Sequence, residues 1–165
     1  MSKLTFEQIE NRYKVPSKTY FIQVFSKLDK KGFLQLSELI RYYCNQDNIS
    51  YILGFSQTDS KTAKPKYEKT GKRGRPRKII QGRKVDGHIH NAFTSTSGKS
   101  CRRTVLKISK AIDKKLGKNV TRIDSIRDNF GVYCYADYIL KQSDFIRQGG
   151  EFNFEKYVRL HTDEF

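Results

Sequence analysis

The stretch Gly87-His-Ile-His-Asn-Ala-Phe93 holds two of the chain's three histidines, one residue apart. Its alternation marks a strand, and side chains two apart on a strand leave from the same face. His88 and His90 therefore project together, and Ile89 points to the other side. Two imidazoles on one face can give two nitrogen donors to a single divalent ion. A His-x-His taken alone is most often a surface coincidence. The strand context and the scarcity of histidine weigh toward a metal.

The second chemical signal is charge. The 165 residues carry a formal net charge of +16, which points to a polyanionic partner, most often nucleic acid. Eleven Lys/Arg and one Glu lie between Lys61 and Lys84, so that short segment holds +10 of the total. A ribosomal type of protein would spread its charge more evenly. Within the segment, Arg73-Gly74-Arg75-Pro76-Arg77 resembles an AT-hook. Glycine permits close approach, proline favours the extended form, and arginines suit the negative potential of a narrow A·T minor groove. A solvated basic loop that meets phosphates is the plainer reading, and both make the segment a DNA contact. Ser97–Thr104 contains Gly98-Lys99-Ser100, but Phe93 stands where a nucleotide-binding loop requires glycine, so an ATPase is excluded. Lys99, Arg102 and Arg103, at a helix start, are candidates to hold a DNA phosphate.

These groups need elements to position them. Tyr20, Ile22, Val24 and Ser26 alternate against Phe21, Gln23 and Phe25, giving a strand over Lys18–Lys27. Phe33, Leu36, Leu39, Ile40 and Tyr43 recur at helical spacing. Ile49–Gln57 is an apolar, β-branched strand. The basic segment reads as a long loop, and Gly87–Ser95 is the third strand. Val105, Ile108, Ile112 and Leu116 form one stripe of a helix that Gly117 ends. A short helix is expected over Asp124–Phe130 and another from Val132 towards Phe145. The C-terminal stretch reads as a turn, a strand and a last helical turn. Phe21, Phe25 and Phe55 are read as core, not as base-stacking surfaces. The sum is one α+β domain: a central antiparallel sheet with helices packed on one side. Cys44, Cys101 and Cys134, odd in number and far apart, argue for reduced thiols. No apolar run is long enough to span a bilayer and no secretory signal precedes the domain, so an intracellular, membrane-free protein is expected.

The order of these pieces resembles the HUH endonucleases: rolling-circle replication initiators, conjugative relaxases and single-strand transposases. Gly87–Phe93 is similar to their histidine–hydrophobe–histidine strand. Tyr138-Ile-Leu-Lys141 is similar to the initiators' Y-x-x-K helix, and the likeness runs roughly from Lys18 to Phe154. It implies an HUH, RRM-like domain over residues 18–158, with the basic insertion at 60–85. Residues 1–17 would be an arm or short helix, and 159–165 a tail. It further implies that Tyr138 is the nucleophile, that Lys141 offsets phosphate charge or assists deprotonation, and that Mg or Mn is held by His88 and His90. A third ligand is required. The family commonly has Glu near the end of the preceding strand, where this chain has Gln57 and then Asp59. The transposases instead draw a Gln from Y-x-x-x-Q, which here is Gln142. The implied activity is nicking and joining of single-stranded origin DNA through a 5′-phosphotyrosine, to start rolling-circle replication of a plasmid or virus. A host or fused helicase would unwind the duplex, AT-rich duplex DNA is a further partner, and the compartment would be a host nucleus or a bacterial cytoplasm. A transposase of the same chemistry and a non-enzymatic AT-hook protein are the alternatives.

Overall fold

The computed structural model describes residues 15–58, 66–68, 77–79, 84–96, 99–126 and 128–162. Along the chain come β1 (Thr19–Val24), α1 (Lys30–Asp47), β2 (Ile49–Thr58), β3 (Lys66–Glu68), β4 (Arg77–Ile79) and β5 (Lys84–Ser95). Then follow α2 (Arg102–Leu116), β6 (Thr121–Ile126), α3 (Asn129–Gln142), β7 (Phe145–Gly149) and α4 (Phe154–Thr162). Five strands form one sheet in the order β6-β1-β5-β2-β7, and every pairing in it is antiparallel. The expected α+β class holds.

Helices cover both faces of the sheet, not one. Tyr51, Leu53 and Phe55 of β2 and Ile89 and Phe93 of β5 pack with Phe33, Leu36 and Ile40 of α1 and Val105, Ile108 and Ile112 of α2. Ile52 and Ala92 face the other way and pack with Val132, Ala136 and Ile139 of α3 and Phe154, Tyr157 and Val158 of α4. The reason is in β2, where Ile49 to Ser56 are all buried. A strand apolar on both faces needs cover on both.

Three local expectations are corrected. Thr121–Ile126 is the edge strand β6, not a helix: Thr121, Ile123 and Ser125 alternate with exposed Arg122 and Asp124. The helix that follows starts at Asn129 because Asp128 caps it, accepting from the Gly131 N–H at 2.7 Å. The C-terminal element is a true helix, not a strand with one helical turn. Asn153 accepts from the Lys156 N–H at 3.0 Å, and Phe154, Tyr157 and Val158 bury at i, i+3, i+4. The basic segment, expected as loop throughout, includes the antiparallel pair β3–β4, with Lys66 opposite Ile79.

One side chain shapes the sheet around the histidine strand. β1 and β5 pair at Tyr20 and Phe93. One step further, the Ile22 N–H donates to Asn91 Oδ1 at 2.7 Å and Asn91 Nδ2 donates to the Ile22 carbonyl at 2.8 Å. The amide of Asn91 thus takes the place of β5 backbone in the ladder and parts the two strands beyond it. Asn91 is buried. Asn91→Ala would strand the Ile22 N–H and C=O, and should cost about 2–4 kcal/mol of unfolding free energy, measurable by urea denaturation.

Candidate active site

The parted strands leave a cleft of about 450 Å³ on the α3 side of the sheet. His88 and His90 line it from β5, Phe21 and Gln23 from β1, Phe25 from just past the end of β1, and Tyr135 and Tyr138 from α3. Strand alternation puts the two histidines on the same face as Ala92, which packs under α3. The rings of His88 and His90 meet edge to face with centroids 4.9 Å apart. The Tyr138 ring meets His90 in the same way at 5.3 Å.

Gly54 is what lets α3 reach this position. It lies opposite His90 in the ladder, and a Cβ there would collide with Ser143 and come within 2.8 Å of Ile139. The missing side chain seats the end of α3 on β2, and Tyr138, one residue before Ile139, falls over the histidine strand.

The electrostatics suit a metal. Burial first, and then neighbouring His88, lower the pKa of His90 from 6.5 to about 4, so the imidazole is neutral at physiological pH. Its Nε2 is buried without a hydrogen-bond partner, as is Ser143 Oγ beside Gly54. Such orphaned atoms are rare, and a cation would satisfy a neutral imidazole nitrogen. Between pH 6.5 and 4 the unfolded chain binds a proton at this position that the folded chain does not. The metal-free protein should therefore lose stability as pH falls through that window. Urea midpoints across it should drop for the wild type, and His90→Gln should flatten the profile.

The other tyrosines near the site are placed differently. Tyr135 packs against Phe21 with the rings tilted and centroids 5.1 Å apart, and burial drives its phenol up to about 12, partly offset by a hydrogen bond from the Asn91 backbone. Tyr133, also on α3, is half-buried and packs against the core on that face. Tyr138 is 38% exposed, open to a ligand in the cleft.

The remaining expected site residues spread out. Lys141 turns outward and pairs with Asp137 at 3.0 Å, which raises its pKa. Gln142 is buried, one turn after Tyr138 on α3. Gln57 follows Phe55 in alternation, which turns it towards the α1 and α2 face, although the ladder register shifts between Ser56 and Thr58. Its N–H donates to Asp144 Oδ2 at 2.9 Å. Asp59 lies outside the described residues, as do Arg73, Gly74, Arg75 and Pro76, while Arg77 opens β4. The insertion that carries them leaves β2 and rejoins β5 at the histidine end, where Thr58 pairs with Lys84. Lys99, Arg102 and Arg103 are exposed. They follow the far end of β5, and its last residue, Ser95, is about 23 Å along the strand from His88.

Two neighbours went unread in the sequence. Ser56 is buried and opposite His88 in the ladder, which needed the β2–β5 register to see. Phe25, expected in the core, is 66% exposed at the cleft. Among the described residues no group of three or more His, Cys, Asp or Glu gathers to hold a metal. No described helix is long and apolar enough to cross a membrane.

Compared with protein-family models, with curated proteins and with solved structures, the chain matches none.

Proposed function

We propose that this protein is a metal-dependent endonuclease and strand transferase of the HUH kind. It would nick and rejoin single-stranded origin DNA to start rolling-circle replication of a plasmid or virus. The observation that carries the proposal is the contact chain Tyr138–His90–His88 along one cleft. Tyr138 is distant in sequence from the two histidines and lies on another element, yet a candidate nucleophile stands against a candidate metal pair.

The residues fit a divalent ion, Mg or Mn. His88 and His90 would hold it, and the candidates for a third donor are Gln142, buried on the nucleophile helix, and Gln57 or Asp59 near the end of β2. When bound, the ion supplies Lewis-acid polarisation of a phosphate oxygen. The chain does the rest. α3 fixes Tyr138 at the cleft, so the phenol is oriented before the strand arrives. The Tyr138 oxygen bonds to phosphorus, the bond from phosphorus to the 3′-oxygen breaks, and the phenolic proton leaves to solvent while the 3′-oxygen gains one. The 5′-phosphotyrosine keeps the energy of the phosphodiester, so a 3′-hydroxyl can reverse the step and join strands. Lys141 is paired with Asp137 and would have to leave that pair to offset phosphate charge.

Phosphate contacts from the basic insertion would give affinity without sequence preference and place the origin beside the histidines. With no nucleotide-binding motif in this sequence, unwinding falls to a host or fused helicase. The buried Gln142 also favours a second reading, a single-strand transposase with a Y-x-x-x-Q helix. That enzyme would be a stable dimer that excises a defined element.

The test is incubation of the full chain with circular single-stranded DNA and manganese, followed by a denaturing gel. A protease-sensitive protein–DNA adduct is expected. If Mn²⁺ binds and no single strand of varied sequence ever yields an adduct, the proposal fails.

A further inference from the structure

The cleft has an outer wall that the proposed chemistry does not use. Beyond the Asn91 wedge, Gln23 and Phe25 line the cleft together with His88 and His90. Phe25 is tied down through its backbone, whose N–H donates to the Val120 carbonyl at 2.7 Å. Its side chain is nevertheless the most exposed large apolar one among the described residues. Beside it, Gln23 pairs across the ladder with Arg122 of β6, and both are exposed. An aromatic ring left in water at the mouth of a cleft, on an anchored backbone and next to an amide and a guanidinium, suits a ligand with flat faces and phosphates. The chain's charge of +16 selects a polyanion.

We infer that Phe25 is a stacking platform for a base of single-stranded DNA lying in the cleft, with Arg122 on the adjoining phosphate. The inference rests on the proposed nuclease reading and names where its strand lies. Base–aromatic stacking tolerates sequence, because every base has a π-face, and it needs an unpaired strand, because a duplex hides those faces. The cleft would then select single strands before any bond is broken, and the base on Phe25 would hold the neighbouring phosphate across from His88.

The chain contains ten tyrosines but no tryptophan, so Phe25→Trp gives a single tryptophan at the platform, read by selective excitation at the red edge. In metal-free buffer, titration with a single-stranded oligonucleotide of mixed sequence should quench this emission, and the matched duplex should not. Phe25→Ala should weaken single-strand binding by about 10-fold, with Phe25→Leu close to it and Phe25→Trp near wild type. Arg122→Ala should lower the slope of log affinity against log salt by about one. An unquenched Phe25→Trp protein at saturating DNA overturns the inference, as does a Phe25→Ala protein that binds as wild type does. These measurements involve no cleavage. A wild-type adduct without quenching removes the platform and spares the nuclease, and quenching without an adduct does the reverse.

Discussion

Tyr138→Phe is expected to abolish covalent attachment to single-stranded DNA, with adduct formation down roughly 10³-fold or more while DNA binding stays near wild type. The substitution removes one oxygen from a partly exposed ring. The edge-to-face contact with His90 needs only the ring, so unfolding free energy should change by less than about 0.5 kcal/mol. Loss of adduct with retained stability and binding would isolate the hydroxyl as the nucleophile. Tyr135→Phe is the control. Its phenol is buried and held protonated, so its adduct rate should stay within a few-fold of wild type, with the Asn91 backbone hydrogen bond lost. A Tyr138→Phe protein that forms adduct at the wild-type rate would move the chemistry to another residue.

The second large effect concerns the metal. A ligand that binds only the folded state raises stability by about 2.7 kcal/mol at a hundred times its dissociation constant. Thermal unfolding of the wild type with excess Mn²⁺ should show a gain of that order. His88→Ala combined with His90→Gln should show none and should lose nicking along with it. The single variants should each weaken Mn²⁺ by roughly 10²-fold or more, since two donors on one face cannot be replaced by one. Gln142→Ala separates the third-ligand candidates: weaker Mn²⁺ binding is expected there and not in Gln57→Ala. Unchanged Mn²⁺ stabilisation in the double variant would place any bound metal away from these histidines.

Much of the fold was legible because its signals are local. β1, β2, α1 and α2 follow from strand patterning, helical stripes and, for α2, the stop at Gly117, all within a few residues. The histidine strand was readable for the same reason: two histidines at period two share a face whatever they pack against. The errors also have local causes. Asp124 was read as the opening of a helix, but Asp128 holds that place, accepting from Gly131. Thr121–Ile126 is an edge strand whose outward residues are charged, so its apolar signal is weak. The two-sided packing is foreshadowed in β2, where Tyr51, Ile52, Leu53 and Phe55 place apolar side chains on both faces.

The sequence by itself determined the types: a histidine pair on one face, a Tyr-x-x-Lys-Gln helix, and a concentrated positive charge. It could not decide which of these meet, because contact between β5 and α3 depends on residues far from both. Gly54 seats α3 on the sheet, and the Asn91 amide parts β1 from β5 and opens the cleft. Only the tertiary structure brought the Tyr138 ring to His90, turned Lys141 out to Asp137, and set Lys99, Arg102 and Arg103 towards the other end of the sheet. It also left Phe25 in water. Alternation assigns a side chain to a face of the sheet, but whether a helix covers that face at that point is fixed by packing from across the chain.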